Sequence, residues 1–253
     1  MDEPNAKRAV PNPARQQRIL NAASTLIAHY GYDKTTMADI AQAAGVSKGA
    51  LYLHYASKDA LFQGLLFHEM LRTTEDLLRR IDADPEGGTF FSLYRHGLEA
   101  LAVNPLMRAL TTQDKRVMGD YVRSTGASSH YAQGRAFSLD FVRQLQAAGL
   151  LRSDFAPETI SYILSLVRYG LITVDDALPP SAVRPLDEVG PALADMLQRG
   201  LGAEGGDREQ GRLIIAQWLN MARRLMESQI QTDTDATSNA TPKGTNDEQS
   251  PDD

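Results

Sequence analysis

The 253-residue chain is long enough for one extended domain or two unequal ones, and its 42% hydrophobic content can supply a substantial core. The absence of cysteine excludes disulfides, thiolate metal sites and cysteine nucleophiles. The net charge of −6 is unevenly spread: residues 1–60 carry seven Lys or Arg against five Asp or Glu, whereas 229–253 carry one Lys against six acidic residues.

Sustained β-type alternation is absent, and apolar residues recur at spacings of three and four, so the chain reads as all-α. After a flexible arm over residues 1–13, a first helix carries Ile19, Ala23, Leu26, Ile27 and Tyr30 on one stripe and stops at Gly31. Met37, Ile40, Ala41 and Ala44 make a second stripe, preceded by Thr36 with Asp39 three residues on, a capping-box pattern, and ended by Gly45. Ser47 opens a third helix that runs to about Tyr55, and Ser57 opens a fourth that runs to about Arg80. "DADPEGG" at 82–88 is a break. Beyond it, helices are predicted over 89–103, 105–124, 128–149, 157–174, 186–200 and 207–228. Residues 229–253 hold almost no apolar side chains and are expected to be a disordered acidic tail.

Two short helices joined through Gly45, Val46 and Ser47 form a helix-turn-helix, and neither is long enough to stand without packing. Leu51 and Tyr55 face inward, leaving Lys48 and Tyr52 on an outward face. Such a face suits a DNA major groove: Gly49 permits close backbone approach, Lys48 brings charge, and Tyr52 brings a hydroxyl and a flat ring. Thr36 and Lys58 open the flanking helices, where free N–H groups and the helix dipole favour a phosphate. Spacing alone leaves these outward residues open to a second reading as ordinary solvated surface.

"TTMADIAQAAGVSKGALYLHYASKDAL", residues 35–61, resembles the DNA-binding segment of the TetR family of bacterial transcriptional regulators. The matching positions are Thr35 and Thr36, Ile40-Ala41, Ala44-Gly45-Val46-Ser47, Gly49, Leu51-Tyr52, Tyr55, and Ser57-Lys58-Asp59-Ala60-Leu61. The likeness covers about residues 14–65. It implies a helix-turn-helix domain over 14–60 and a larger helical domain over 61–228 for effector binding and dimerisation. It also implies a homodimer on double-stranded operator DNA, with Thr36, Ser47, Lys48, Gly49, Tyr52, His54 and Lys58 at the DNA. Repression relieved by a small effector is the expected mode. An activator, or a helical scaffold or ligand binder without DNA binding, is the alternative.

In the larger part, Ile160, Leu164 and Val167 form one stripe, and Val189, Leu193, Met196 and Leu197 another. Periodicity leaves open whether these are internal core; the resemblance favours a dimer interface through Ile160, Leu164, Val167, Leu193, Met196 and Leu197. A pocket for an apolar or aromatic effector is expected among Tyr94, His96, Met107, Tyr121, Phe137, Phe141 and Tyr169. The helix bearing Trp218 is expected to cover that pocket or the dimer seam.

"GLGAEG" follows a helix and so cannot serve as a dinucleotide-binding turn, which requires a preceding strand. The histidines show no metal-ligand spacing, and no nucleophile elbow or phosphate loop occurs. No enzyme activity, metal or cofactor is expected. With no apolar run near the ~20 residues of a membrane span and no apolar centre in the first stretch, a cytoplasmic protein without membrane association is the expectation.

Overall fold

The computed structural model describes the backbone of residues 13–123 and 138–239, and the side chains of these residues up to 228 except those of Val122, Arg123 and Asp187. Among the described residues every regular element is helical, with an isolated bridge between Leu151 and Gly202. No described helix is long and apolar enough to cross a membrane.

The first four helices are α1 (Pro13–Tyr30), α2 (Met37–Ala43), α3 (Lys48–His54) and α4 (Lys58–Ala83). Thr36, Ser47 and Ser57 cap α2, α3 and α4, each accepting a backbone N–H three residues on. Then come α5 (Phe90–Ala102), α6 (Pro105–Thr112), α7 (Lys115–Met118) and a 3₁₀ turn (Gly119–Arg123). Residues 138–147 are helical and are called α8. The chain continues through α9 (Pro157–Ala177), α10 (Leu186–Leu201) and α11 (Arg208–Asn239).

Two expected boundaries are corrected. The helix predicted over 105–124 breaks after Thr112, because Gln113 takes a left-handed conformation and Asp114 accepts the Arg116 N–H to start α7. The last helix does not stop near 228: residues 229–239 continue α11, while 240–253 lie outside the described residues, as do 1–12 and 124–137. These eleven mostly polar residues sustain the helix because it is already nucleated by the packed turns before them.

The core has two centres, both served by α4. Leu61, Phe62, Leu65 and Leu66 join Ile19, Ile27, Ile40 and Leu51 in the first, which also takes in Leu106, Met107, Met118 and Tyr121. Ile81 joins Phe90, Phe141, Leu145, Ile160, Leu197, Ile215 and Leu219 in the second. The division therefore falls within α4, and the expected boundary at 60/61 does not separate two self-contained cores. Gly31 shows how tightly the first centre closes: its φ is +85°, and a Cβ there would collide with the Arg116 carbonyl.

At the end of α4, the Asp84 carboxylate accepts hydrogen bonds from the Ser92 hydroxyl at 2.5 Å, Arg95 at 2.7 Å and the Glu86 N–H at 2.9 Å. His96 Nε2 lies 2.9 Å from it. Burial alone pushes this carboxyl up, but Ser92, the Glu86 N–H, His96 and the Arg95 charge together hold it well below the usual carboxylate range. The Asp84 backbone carbonyl accepts a further bond from Arg212 of α11.

Asp84→Ala is expected to lower the free energy of unfolding by about 3 kcal/mol, the scale for leaving buried charged partners unsatisfied. Denaturant titration with an unchanged slope checks this. Because the folded-state value is depressed, the contribution is present above the ordinary carboxylate value of 3.8. The gap between wild type and variant should therefore begin to close only as the pH falls below that value, and go on closing down to the depressed folded-state value.

Candidate nucleic-acid interface

The turn between α2 and α3 is built by Gly45 at φ +65° and by the Val46 N–H, which donates to the Ala41 carbonyl at 3.0 Å. That turn aims α3 with Leu51 fully buried. Tyr55 is buried beside it, and its hydroxyl accepts a bond from Gln16 Nε2 of α1 at 3.3 Å. The opposite face of α3 exposes Lys48, Gly49, Tyr52 and Leu53.

An open cleft of about 350 Å³ lies beside that face, lined by Thr36, Lys48, Tyr52 and Lys58 together with Asp33 and Met37. Four of the seven residues expected at DNA are thus brought together, Thr36, Lys48 and Lys58 from the starts of three helices and Tyr52 from the body of α3. Thr36 is held in a reciprocal capping box: its hydroxyl donates to Asp39 Oδ2 at 2.7 Å and accepts the Asp39 N–H at 3.2 Å. The Thr36 hydroxyl and N–H bonds lower the Asp39 carboxyl below its usual range. Lys58 lies folded back, with its ammonium 3.4 Å from the Asp33 carbonyl and 4.1 Å from the centroid of the Tyr32 ring. The Tyr32 hydroxyl donates a short bond to Asp59, and burial followed by that bond pushes the phenol well above its usual value.

The remaining three expected residues stand outside the cleft lining. Ser47 accepts the Ala50 N–H at 3.1 Å as the α3 cap. Gly49 has open space where a Cβ would stand, so nothing within the fold demands glycine there. His54 is half-buried at the end of α3; burial, with the Arg15 charge second, holds its imidazole below the usual 6.5. Leu53, which the motif reading passed over, is the most exposed large apolar side chain of α3 at 71%. Its signal in the sequence is its position two residues after buried Leu51, on the far side of the helix.

The residues expected to line one effector pocket are dispersed. Met107 and Tyr121 belong to the first core, where Tyr121 packs edge-on to Phe62 at 4.7 Å between centroids. Phe141 belongs to the second core and stacks on Trp218 at 4.2 Å; Tyr94 packs against that core and donates to the Leu164 carbonyl at 2.8 Å. His96 is tied between Asp84 and Glu99, and Tyr169 is 52% exposed. Phe137 lies outside the described residues. Aromatic and Met content alone could not tell these packing roles from a binding cavity.

The expected interface stripes divide likewise. Ile160 and Leu197 are buried in the second core, with Leu164, Val167 and Leu193 half-buried against it. Of that set Met196 stands out, 60% exposed. The exposed apolar face of α9 is instead Tyr162, Leu166 and Tyr169, rotated from the buried stripe and spaced i, i+4 and i+7.

Residues 19–65 match the family model described as "Bacterial regulatory proteins, tetR family". The chain is 30% identical over 159 residues to the HTH-type transcriptional repressor Rv1474c of Mycobacterium tuberculosis, covering 63% of this chain and 81% of that one. It is 32% identical over 148 residues to the A-factor receptor protein of Streptomyces griseus, covering 54% of this chain and 51% of that one. Among solved structures, NalD, the secondary repressor of the MexAB-OprM multidrug efflux pump in Pseudomonas aeruginosa, superposes with a TM-score of 0.53 at 24% identity. That alignment covers 75% of this chain and 96% of NalD. With the helix-turn-helix segment and four-fifths of a repressor's length both matched, the chain belongs to the TetR family of bacterial regulatory proteins.

Proposed function

We propose that this chain is a cytoplasmic transcriptional repressor that grips a pseudo-palindromic operator as a homodimer and lets go when a small apolar ligand binds its larger part. The observation that carries the DNA-binding role is the meeting of Thr36, Lys48, Tyr52 and Lys58 around one open cleft beside an exposed face of α3. In this reading α3 enters the major groove, with Tyr52 and Gly49 at the base edges and Lys48 and Lys58 at phosphates. Lys58 must swing from the Asp33 carbonyl and the Tyr32 ring to do so, exchanging a long hydrogen bond to a neutral acceptor for one to an anionic phosphate. Thr36, whose hydroxyl hydrogen is committed to Asp39, positions the start of α2 more than it reaches for DNA. Repression is supported by the naming of the Mycobacterium tuberculosis relative, and ligand response by the naming of the Streptomyces griseus relative as a receptor.

The purified protein should retard a duplex from its own upstream region, with affinity falling steeply as salt rises. Tyr52→Ala should abolish that preference over random duplex. Gly49→Gln should do the same through bulk alone, while thermal unfolding shows a fold no less stable than wild type, since nothing packs at that position. Equal retardation of wild type and both variants refutes the assigned face.

His54 gives a pH signature. Burial and Arg15 disfavour its charged form, and a phosphate brought near it favours that form, so binding takes up a proton. Affinity should rise about threefold as pH falls from about 8 to about 6, and His54→Gln should flatten the response.

For the dimer we assign the exposed face of α9, Tyr162, Leu166 and Tyr169, with the exposed Met196 of α10 as a further apolar contact. Leu166→Glu combined with Tyr169→Glu should sediment as a 27.7 kDa monomer with native helicity. Operator affinity should fall with it, because one half-site contact is then lost.

A further inference from the structure

The start of α11 is pinned to the end of α4. Arg212 donates to the Ile81 and Asp84 carbonyls, both at 2.9 Å, and a Cβ at Gly211 would collide with the Gly88 carbonyl. From that point α11 packs along α4 and also meets α3, which immediately precedes the other end of α4. The two long helices therefore run antiparallel. Both advance ~1.5 Å per residue, so the part of α11 level with Lys58 lies roughly 24 residues beyond Arg212. That is past Ser228, in the helical stretch "QIQTDTDATSN" over 229–239, which contains Asp233 and Asp235 and no basic residue. Residues 240–253 follow with one Lys against four Asp or Glu.

The most acidic part of the chain is thus delivered to the flank of the helix that carries Lys48 and leads into Lys58. We propose that residues 229–253 are an intramolecular occupant of the reading face, competing with DNA phosphates for Lys48 and Lys58. The proposal rests on the DNA-binding role assigned above. Tethering by α11 keeps this polyanion at high effective concentration beside the cleft, so weak contacts suffice. The competition is electrostatic, and it weighs most on binding that is itself only electrostatic. Binding to random DNA depends almost wholly on phosphate contacts, whereas an operator adds base contacts that the acidic segment cannot mimic. The segment therefore acts as a discriminator, suppressing random DNA more than operator.

The test compares the full chain with a variant of equal length in which the six acidic residues of 229–253 become Asn or Gln, and with a chain ending at Ser228. The probe is a random 30-base-pair duplex. At about 50 mM salt both altered chains should bind about tenfold more tightly than wild type, and at about 300 mM the difference should shrink below about twofold. Equal affinities at low salt overturn the proposal. The neutralised variant keeps the helix intact should truncation disturb folding.

A second measurement reads the contact without DNA. The chain has no cysteine, so Ser250→Cys provides a sole site for a spin label. The label should broaden amide signals of Lys48–His54 at low salt, with relief on adding salt; absence of broadening overturns the proposal. Broadening without duplex binding by any of the chains overturns the DNA-binding role and the competition with it, leaving an intramolecular contact of another purpose.

Discussion

The carboxylate of Asp84 fixes the direction of the long helices. It gathers Ser92, Arg95 and His96 of α5 onto the end of α4, and through its own backbone carbonyl it takes Arg212 of α11. A carboxylate this enclosed, 10% exposed at its side chain, would be costly without donors, and the donors come from the elements that must be joined. Once α5 and α11 leave α4 at fixed angles, their apolar faces meet the second core. The far end of α11 is then carried to the first core by helix rigidity alone.

A comparable knot closes the first core. The Tyr32 N–H donates to the Val117 carbonyl at 2.8 Å, and the Asp120 N–H donates to Asp33 Oδ1 at 3.1 Å. The loop between α1 and α2 is thus sewn to the segment after α6, and Tyr32, Phe62 and Tyr121 pack as an aromatic group across the seam. Between the two knots, buried Asn104 donates to buried Glu69 at 2.9 Å and links the start of α6 to the middle of α4. A displacement of α6 has these routes to the starts of α2 and α4, and through them to α3. The helices that would sense a ligand and those that would face DNA share side chains within one packed interior.

The local rules of the helix-turn-helix were legible in the sequence. Thr36 with Asp39, Ser47 and Ser57 mark their helix starts by side-chain hydrogen bonds only three residues long, and Ile40 and Leu51 announce burial by their spacing. Elements set by distant contacts were not. Left-handed Gln113 carries no glycine signal, and its break is stabilised by α6 and α7 packing under α1. The aromatic residues of α5 and α8 look alike whether they line a cavity or fill a core, and Tyr94 and Phe141 are tied by partners 70 and 77 positions away, Leu164 and Trp218. The continuation of α11 past 228 is equally opaque, because composition there argues for disorder while the helix behind it supplies the nucleus.

The stacking of Trp218 on Phe141 gives the molecule an optical asymmetry. Trp218 is the chain's only tryptophan, and it sits in the half remote from the reading helix. Its emission answers to the packing of α8 against α11, whereas DNA seated on α3 has no indole to quench. Changes in the larger part and events at the DNA face are therefore spectroscopically separable in the natural sequence, without any introduced probe.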